Sequence, residues 1–473
     1  MELYLLTETS TDVDFSSTPS LHIDGRTWQR IGPLSRDEST TRPEFACISY
    51  VWGSERVPNP LDIEKPMSDQ TLLSLSAAIK VSTVSAFWID AFCVPVTQPS
   101  RNATLESMGY IYSIAKEVIV ALSSDRSGAL EEMGRSEKLR EQTLLALEHD
   151  EWVRSVWTYQ EVVNSQSLYF TTTNPLSSAV VDGSTFLNRI GYALHFYKQE
   201  HGFNAFDLRR RLRCLDAFED LIGDWMISAY TDRSALQVMS NLDRRSCTVP
   251  QNYYYSMIGS ITQLPSYRAA GLQVTDLVEK TMQICEQKND YSFIFSTAAR
   301  NELSATPWRP QPEPLHSILP YFSHGARQGG RHDAHGFWLE KMVCLRPVNK
   351  VEDANDEKNV QAWLEKLPVP WSSCNPETAL ANDILDFLEQ IGFTGSREYL
   401  ETSFGVFYPQ KFLSADHGHD IYILLSTQTA WTFGHPGIVK ARIAGRWMYS
   451  SGVFIGAVDK LTATDYLLHP HEE

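Results

Sequence analysis

The chain is short of positive charge and of any ordered use of cysteine. Against 58 Asp and Glu it carries 41 Lys and Arg, a formal net charge of −17. Nucleic acid and anionic membrane surfaces both need a basic footprint, which this balance does not provide. The densest basic run, Arg209, Arg210, Arg211 and Arg213, spreads around the axis at helical period and reads as solvated surface. Seven cysteines stand at 47, 93, 214, 247, 285, 344 and 374, an odd number with no Cys-x-x-Cys pair. Neither a disulfide framework nor a zinc site is indicated, and a reducing, cytoplasmic setting is expected. No apolar stretch approaches a membrane span, and Met1 to Leu6 is too short for the core of a signal peptide. No Gly-x-Gly-x-x-Gly follows a strand and no Walker-type loop occurs, so neither standard phosphate cradle is present.

What is present is globular. With 473 residues the chain exceeds one ordinary core. Residues 1–43 read as a lead-in with short strands at Leu3–Leu6 and Leu21–Ile23, the second ending in the turn signal Asp24-Gly25. Across 44–172, strand-like runs (Phe45–Val51, Ala86–Cys93, Val118–Leu122, Ser167–Thr171) alternate with helical patterns. The helical patterns are Thr71–Ser82, Asn102–Glu117 with Asn102 as N-cap, Leu139–His149, and a segment through Trp157–Glu161. This alternation predicts an α/β layer with a largely parallel sheet. Residues 173–262 read as helical, and 263–473 as α+β, with antiparallel strands or a partial barrel from Phe404 to Val458.

Candidate chemistry gathers where these strands end, because ligands of open α/β sheets sit outside the carboxyl ends. Ser49, Tyr50, Trp52 and Gly53 end one strand. Asp90 is the single charge in the apolar run 86–93, so it is exposed at the sheet edge, bonded to loop amides, or lining a site. Trp157 and Glu161 lie one turn apart on one helix face, a carboxylate against an aromatic wall or simply the polar edge of a buried helix. Cys93 has no nearby basic partner and reads as core. His417-Gly418-His419, with Asp416 and Asp420, lacks a further ligand and reads as solvated loop, so no metal site is expected.

The blocks Tyr50-Val51-Trp52-Gly53, Trp88 to Cys93, Met108 to Tyr112 with Ala115 and Val118, and Arg154 with Trp157-Thr158-Tyr159-Gln160-Glu161 resemble the heterokaryon-incompatibility (HET) domain of filamentous fungi. Arg245 to Gly259 resembles a segment that often follows that domain. The resemblance implies self/non-self recognition and programmed cell death, and a flavodoxin-like fold distantly related to Toll-receptor-type (TIR) domains. Some members of that fold cleave NAD through a helix-borne glutamate, which makes Glu161 the matching catalytic carboxylate. NAD is then a candidate substrate rather than a bound cofactor, and protein partners or self-association are implied. The sequence departs from the pattern at Val94-Pro95-Val96 and through Thr97 to Arg101. A catalytically inactive signalling or scaffold module is therefore the alternative reading.

Overall fold

The strands of the N-terminal sheet follow the apolar runs of the sequence, and its edges come from segments with weaker signals. The structure is a computed structural model that describes residues 2–9, 19–34, 42–203, 205–226, 232–264, 273–318, 323–325, 327–351, 362–363, 386, 388–390, 398–413, 420–431 and 434–469. The chain forms two compact units. One comprises 1–201, 211–230 and 245–271, and the other 202–210, 231–244 and 272–473.

In the first unit, β1 (Leu3–Thr9), β2 (Ser20–Ile23) and β3 (Arg26–Leu34) form an antiparallel meander. Next come β4 (Ala46–Tyr50) and a small hairpin of β5 (Arg56–Val57) with β6 (Met67–Ser68). After them stand β7 (Ala86–Trp88), β8 (Glu117–Leu122), β9 (Leu168–Thr172) and β10 (Val181–Asp182). The eight-stranded sheet runs β10-β9-β8-β4-β7-β1-β3-β2. Only its centre, β9-β8-β4-β7, is parallel. The sheet is therefore mixed rather than largely parallel. The meander from the lead-in adds antiparallel to β7, and β10 returns antiparallel on β9.

Up to residue 201 the helices of this unit are α1 (Gln70–Val81), α2 (Asp90–Cys93), α3 (Ser100–Glu106), α4 (Met108–Ile114), α5 (Ser127–Arg135), α6 (Glu141–Glu148), α7 (Glu151–Arg154), α8 (Trp157–Val163) and α9 (Gly183–His201). Two expectations needed correction. The apolar run 86–93 is a three-residue strand followed by a helical turn, because an apolar run alone cannot separate strand from buried helix. Asp90 sets the break: its Oδ1 accepts the Ala91 N–H at 2.6 Å, and the Val94 N–H closes the turn on the Asp90 carbonyl at 3.0 Å. The single helix expected over 102–117 is two, parted at Ser107 (φ −96°, ψ 4°), and Glu117 already belongs to β8. Pro99, not Asn102, stands at its N-cap.

The second unit is built on an eleven-stranded antiparallel sheet. Strands Gly336–Leu345, Ile421–Ser426, Gly434–Ile443, Arg446–Gly456 and Gly405–Pro409 adjoin in that order. Phe407, Ile423, Leu425, Val439, Ala441 and Phe454 form the core of one face.

Helix Pro250–Ile261 packs on both α4 and α8 in the first unit. Glycine permits the approach. A Cβ on Gly109 would lie 1.8 Å from the Gly259 carbonyl oxygen, and a Cβ on Gly259 would lie 1.7 Å from Gln160 Oε1. Overpacking of this kind costs about 1–3 kcal/mol, against a helix preference for alanine of about 1 kcal/mol. Gly109→Ala, which meets backbone, is expected to lower stability by about 2 kcal/mol, and Gly259→Ala, which meets the end of the Gln160 side chain, by less, both read as a lower urea midpoint at unchanged slope. A neutral or stabilising result, as helix preference alone would give, would rule out the close packing.

Candidate functional site

Alternation along β4 divides its side chains between two faces. Cys47 and Ser49 point toward α4 and α8, with the Cys47 thiol on the Ile111 carbonyl at 3.9 Å. Tyr50 points the other way, its hydroxyl 3.0 Å from Thr71 on α1. Ser49 is 1% exposed and donates its hydroxyl proton to Glu161 Oε2. The Ser49 hydroxyl oxygen in turn accepts the indole N–H of Trp152 at 2.7 Å. Tyr112, on α4, also hydrogen-bonds the Glu161 carboxylate. Glu161 is thus held by a strand and a helix, with the indole bonded to its serine partner, and only 7% of its surface is exposed.

The polar residues before α8 explain its position. Asp150 caps α7 by accepting the Trp152 N–H at 2.9 Å, which fixes the indole. Ser155 is extended and separates α7 from α8. Arg245 then clasps the joint, reaching Thr158 Oγ1 at 2.7 Å, the Val153 carbonyl at 3.2 Å and the Ser155 carbonyl at 3.4 Å. The backbone of Ser246 bonds Arg154 at 2.7 Å and Val156 at 3.2 Å, and the Ser256 hydroxyl bonds the Val156 carbonyl at 2.6 Å. A segment almost a hundred residues downstream in sequence therefore sets where Glu161 stands.

Burial is the main electrostatic influence on Glu161, and it raises the carboxyl pKa from 4.5 to about 7. The Ser49 and Tyr112 hydrogen bonds and the positive charge of Arg245 oppose that rise, while the charge of Asp90 adds to it. Asp90 is itself raised by burial, against hydrogen bonds from Trp52 and Tyr50 and the charge of Lys65. Its Oδ1 accepts Tyr50 at 2.9 Å and its Oδ2 accepts the Trp52 indole at 2.6 Å. Lys65 donates to the carbonyls of Asp90 and Val94 at 3.2 and 2.7 Å.

Of the residues singled out in the sequence, Ser49 meets Glu161 directly, and Tyr50 and Trp52 meet Asp90. The two groups are joined by the field between their carboxylates. Gly53 lies beyond both, in the left-handed region at φ +60°, where it turns the chain after β4. Trp157 stacks on Tyr255, ring centroids 6.4 Å apart and planes 9° from parallel. The aromatic groups bonded to the Glu161–Ser49 pair are instead Tyr112 and Trp152. Both stood in the sequence blocks, but their hydroxyl and indole N–H could be assigned partners only in three dimensions. Arg245 carried no local signal of its role.

A cavity of about 410 Å³ opens at the same edge of the sheet, with Val51, Gly53, Ser74, Ser123 and Asp150 in its wall. Its wall includes neither Glu161 nor Asp90. Cys93 is 1% exposed and burial pushes its thiol up to about 12, so it is no thiolate nucleophile at neutral pH. Among the described residues no group of three or more His, Cys, Asp or Glu is placed to hold a metal. His417 and His419 lie outside the described residues. Among the described residues no helix is long and apolar enough to cross a membrane.

Residues 45–149 match the family model described as heterokaryon incompatibility protein (HET). This segment is a HET domain. No curated protein and no solved structure matches the chain. The matched stretch contains Ser49, Tyr50, Trp52, Gly53, Asp90 and Tyr112, and it ends just before Asp150. Trp152, Glu161 and the Arg245 clasp are joined to the HET domain by tertiary contacts.

The raised pKa of Glu161 has a signed consequence for stability. Between about pH 4.5 and 7 the folded state holds a proton that the unfolded state has released, so stability falls as pH rises through that window. Glu161→Gln abolishes this dependence. Its stability relative to the parent is expected to be more favourable at pH 8 than at pH 4.5, by up to about 3 kcal/mol. Urea unfolding at both pH values measures the difference, and an equal difference at the two would refute the buried, proton-holding carboxylate.

Proposed function

We propose that the protein acts in self/non-self recognition of the heterokaryon-incompatibility type and promotes cell death by hydrolysing NAD. Glu161 is the catalytic carboxylate in this reading. Water and NAD give ADP-ribose, nicotinamide and a proton. The bond between C1′ of ribose and the pyridinium nitrogen breaks with its electron pair going to nitrogen, so nicotinamide leaves neutral and needs no general acid. The ribose gains oxocarbenium character, and a fixed, ionised carboxylate beside it stabilises the developing charge.

The carrying observation is the buried Glu161 carboxylate, oriented by Ser49 and Tyr112 at the carboxyl end of β4, with a pKa of about 7. The winding of the parallel core supports a TIR-like reading. Taken in chain order, β7-β4-β8-β9 run 2-1-3-4, the sense of a flavodoxin-like sheet. The proposed setting is cytoplasmic, with self-association or a protein partner bringing Glu161 into contact with substrate.

One observation favours a second reading, in which the HET domain assembles with partners and carries no catalysis. Glu161 is almost wholly enclosed and lies outside the wall of the neighbouring cavity. The two readings separate cleanly. Purified protein, including forcibly oligomerised protein, is expected to release nicotinamide from NAD, and Glu161→Gln to reduce the rate at least 100-fold. Because the working form is ionised, kcat/KM is expected to fall tenfold per pH unit below about 7. Intact NAD after incubation with every assembled form, together with cell killing that survives Glu161→Gln, would establish the assembly reading.

A further inference from the structure

Among the described residues of the second unit, Arg300 is a cation without an ion-pair partner. Arg300 lies in the segment that leads from the 3₁₀ turn Ser292–Phe295 to the antiparallel sheet. Its Nε donates to the Trp308 carbonyl at 3.0 Å, one Nη to Ser451 Oγ at 3.4 Å, and the other to the Ile294 carbonyl. A guanidinium has five N–H donors. Three neutral acceptors therefore leave two donors and the full charge unmatched among the described residues. Among the described residues no carboxylate forms an ion pair with Arg300, and desolvation pulls its pKa down to about 10. Arg300 is half-buried, so its charge is partly removed from water while part of the group stays open to the cavity.

The guanidinium lines a cavity of about 390 Å³, whose wall also holds Glu302, Glu398, Gln410, Lys411 and Ser450. This volume lies in the range of small-ligand pockets. We propose that this cavity binds a carboxylate-bearing ligand, with the Arg300 guanidinium as its anchor. The two unused N–H groups offer a fork, and a planar carboxylate matches a fork better than a point anion does. The rest of the wall selects the charge. Lys411 is engaged with Glu302 at 2.8 Å, and Glu398 adds a second negative group, so Arg300, Lys411, Glu302 and Glu398 sum to zero. With the wall neutral as a whole, a monoanion held by Arg300 is repelled by the two carboxylates less than a phosphate dianion is. The carboxylate belongs either to a small molecule or to the free end of a peptide.

The test uses the full chain at constant ionic strength and follows Tm. Sodium acetate is expected to raise Tm, the rise growing with the logarithm of concentration beyond Kd. Inorganic phosphate is expected to raise it less. Two tetrapeptides that differ only in a free or amidated C-terminus identify the source: a rise with the free acid alone points to a chain end, and a rise confined to acetate points to a small molecule. Arg300→Gln is expected to abolish every rise. Because that change also removes three hydrogen bonds, Ala299→Trp, which fills the cavity from an exposed position and leaves Arg300 in place, is the second variant. It is expected to keep the parental circular dichroism and lose the response. No saturable rise with acetate or the free-acid peptide, a phosphate response equal to or larger than that of acetate, or a response retained by Ala299→Trp would each overturn the proposal.

Discussion

The hydrogen bond between Ser49 and Glu161 organises the N-terminal unit, because it joins a central strand to a helix that reaches it only after 112 residues of chain. A carboxylate so enclosed is tolerable in two ways. It can hold a proton, or its charge can be met by donors. The structure provides for both: burial moves its titration toward neutrality, and Ser49, Tyr112 and Arg245 work in the opposite direction. The Trp152 indole completes the arrangement by occupying the second valence of the Ser49 oxygen, leaving the serine hydrogen for Glu161. The result is a group poised near the middle of its titration, a property that an exposed surface glutamate lacks.

The helix that carries Glu161 is bonded on its other side by a clasp outside the matched HET segment. α8 has seven residues, too few to be stable alone, and its N-cap residue Val156 offers no side-chain cap. Its position comes from helix Pro250–Ile261 at the Gly109–Gly259 contact and from Arg245 on the carbonyls preceding it. The family match ends before this region, yet the contacts make the segment after residue 244 part of the same compact unit. A HET domain cut at its matched boundary would lose both the glutamate and the parts that hold it.

The second unit poses the electrostatic question in reverse. Arg300 is a cation among neutral acceptors, whereas Glu161 is an acid among donors. Elsewhere in this unit a buried acid is met by backbone amides: Asp290 accepts the Ala235 and Ser292 N–H groups at 2.7 and 3.0 Å. Arg300 has no such match in charge.

Some of this was legible in the sequence. The strand runs read at 45–51, 118–122 and 167–171 and the helix read over 71–82 fall within a residue or so of the strands and helix that form, because burial on one or two faces leaves a local pattern. The resemblance carried by Tyr50–Gly53 and Trp88–Cys93 located the HET domain. Other features were decided only by tertiary structure. Whether Asp90 ended a strand or opened a helical turn depended on a bond to the next amide, and where the lead-in strands lay depended on the open edge of β7. Trp157 shares a helix face with Glu161 by period, but its ring settled on Tyr255, since stacking answers to whatever surface another helix presents. The sequence by itself determined that there was an α/β core and a conspicuous glutamate in a short helix. Only the folded chain decided what surrounds that glutamate, because its partners come from β4, α4 and the segment after residue 244, and no local pattern records contacts made across such separations.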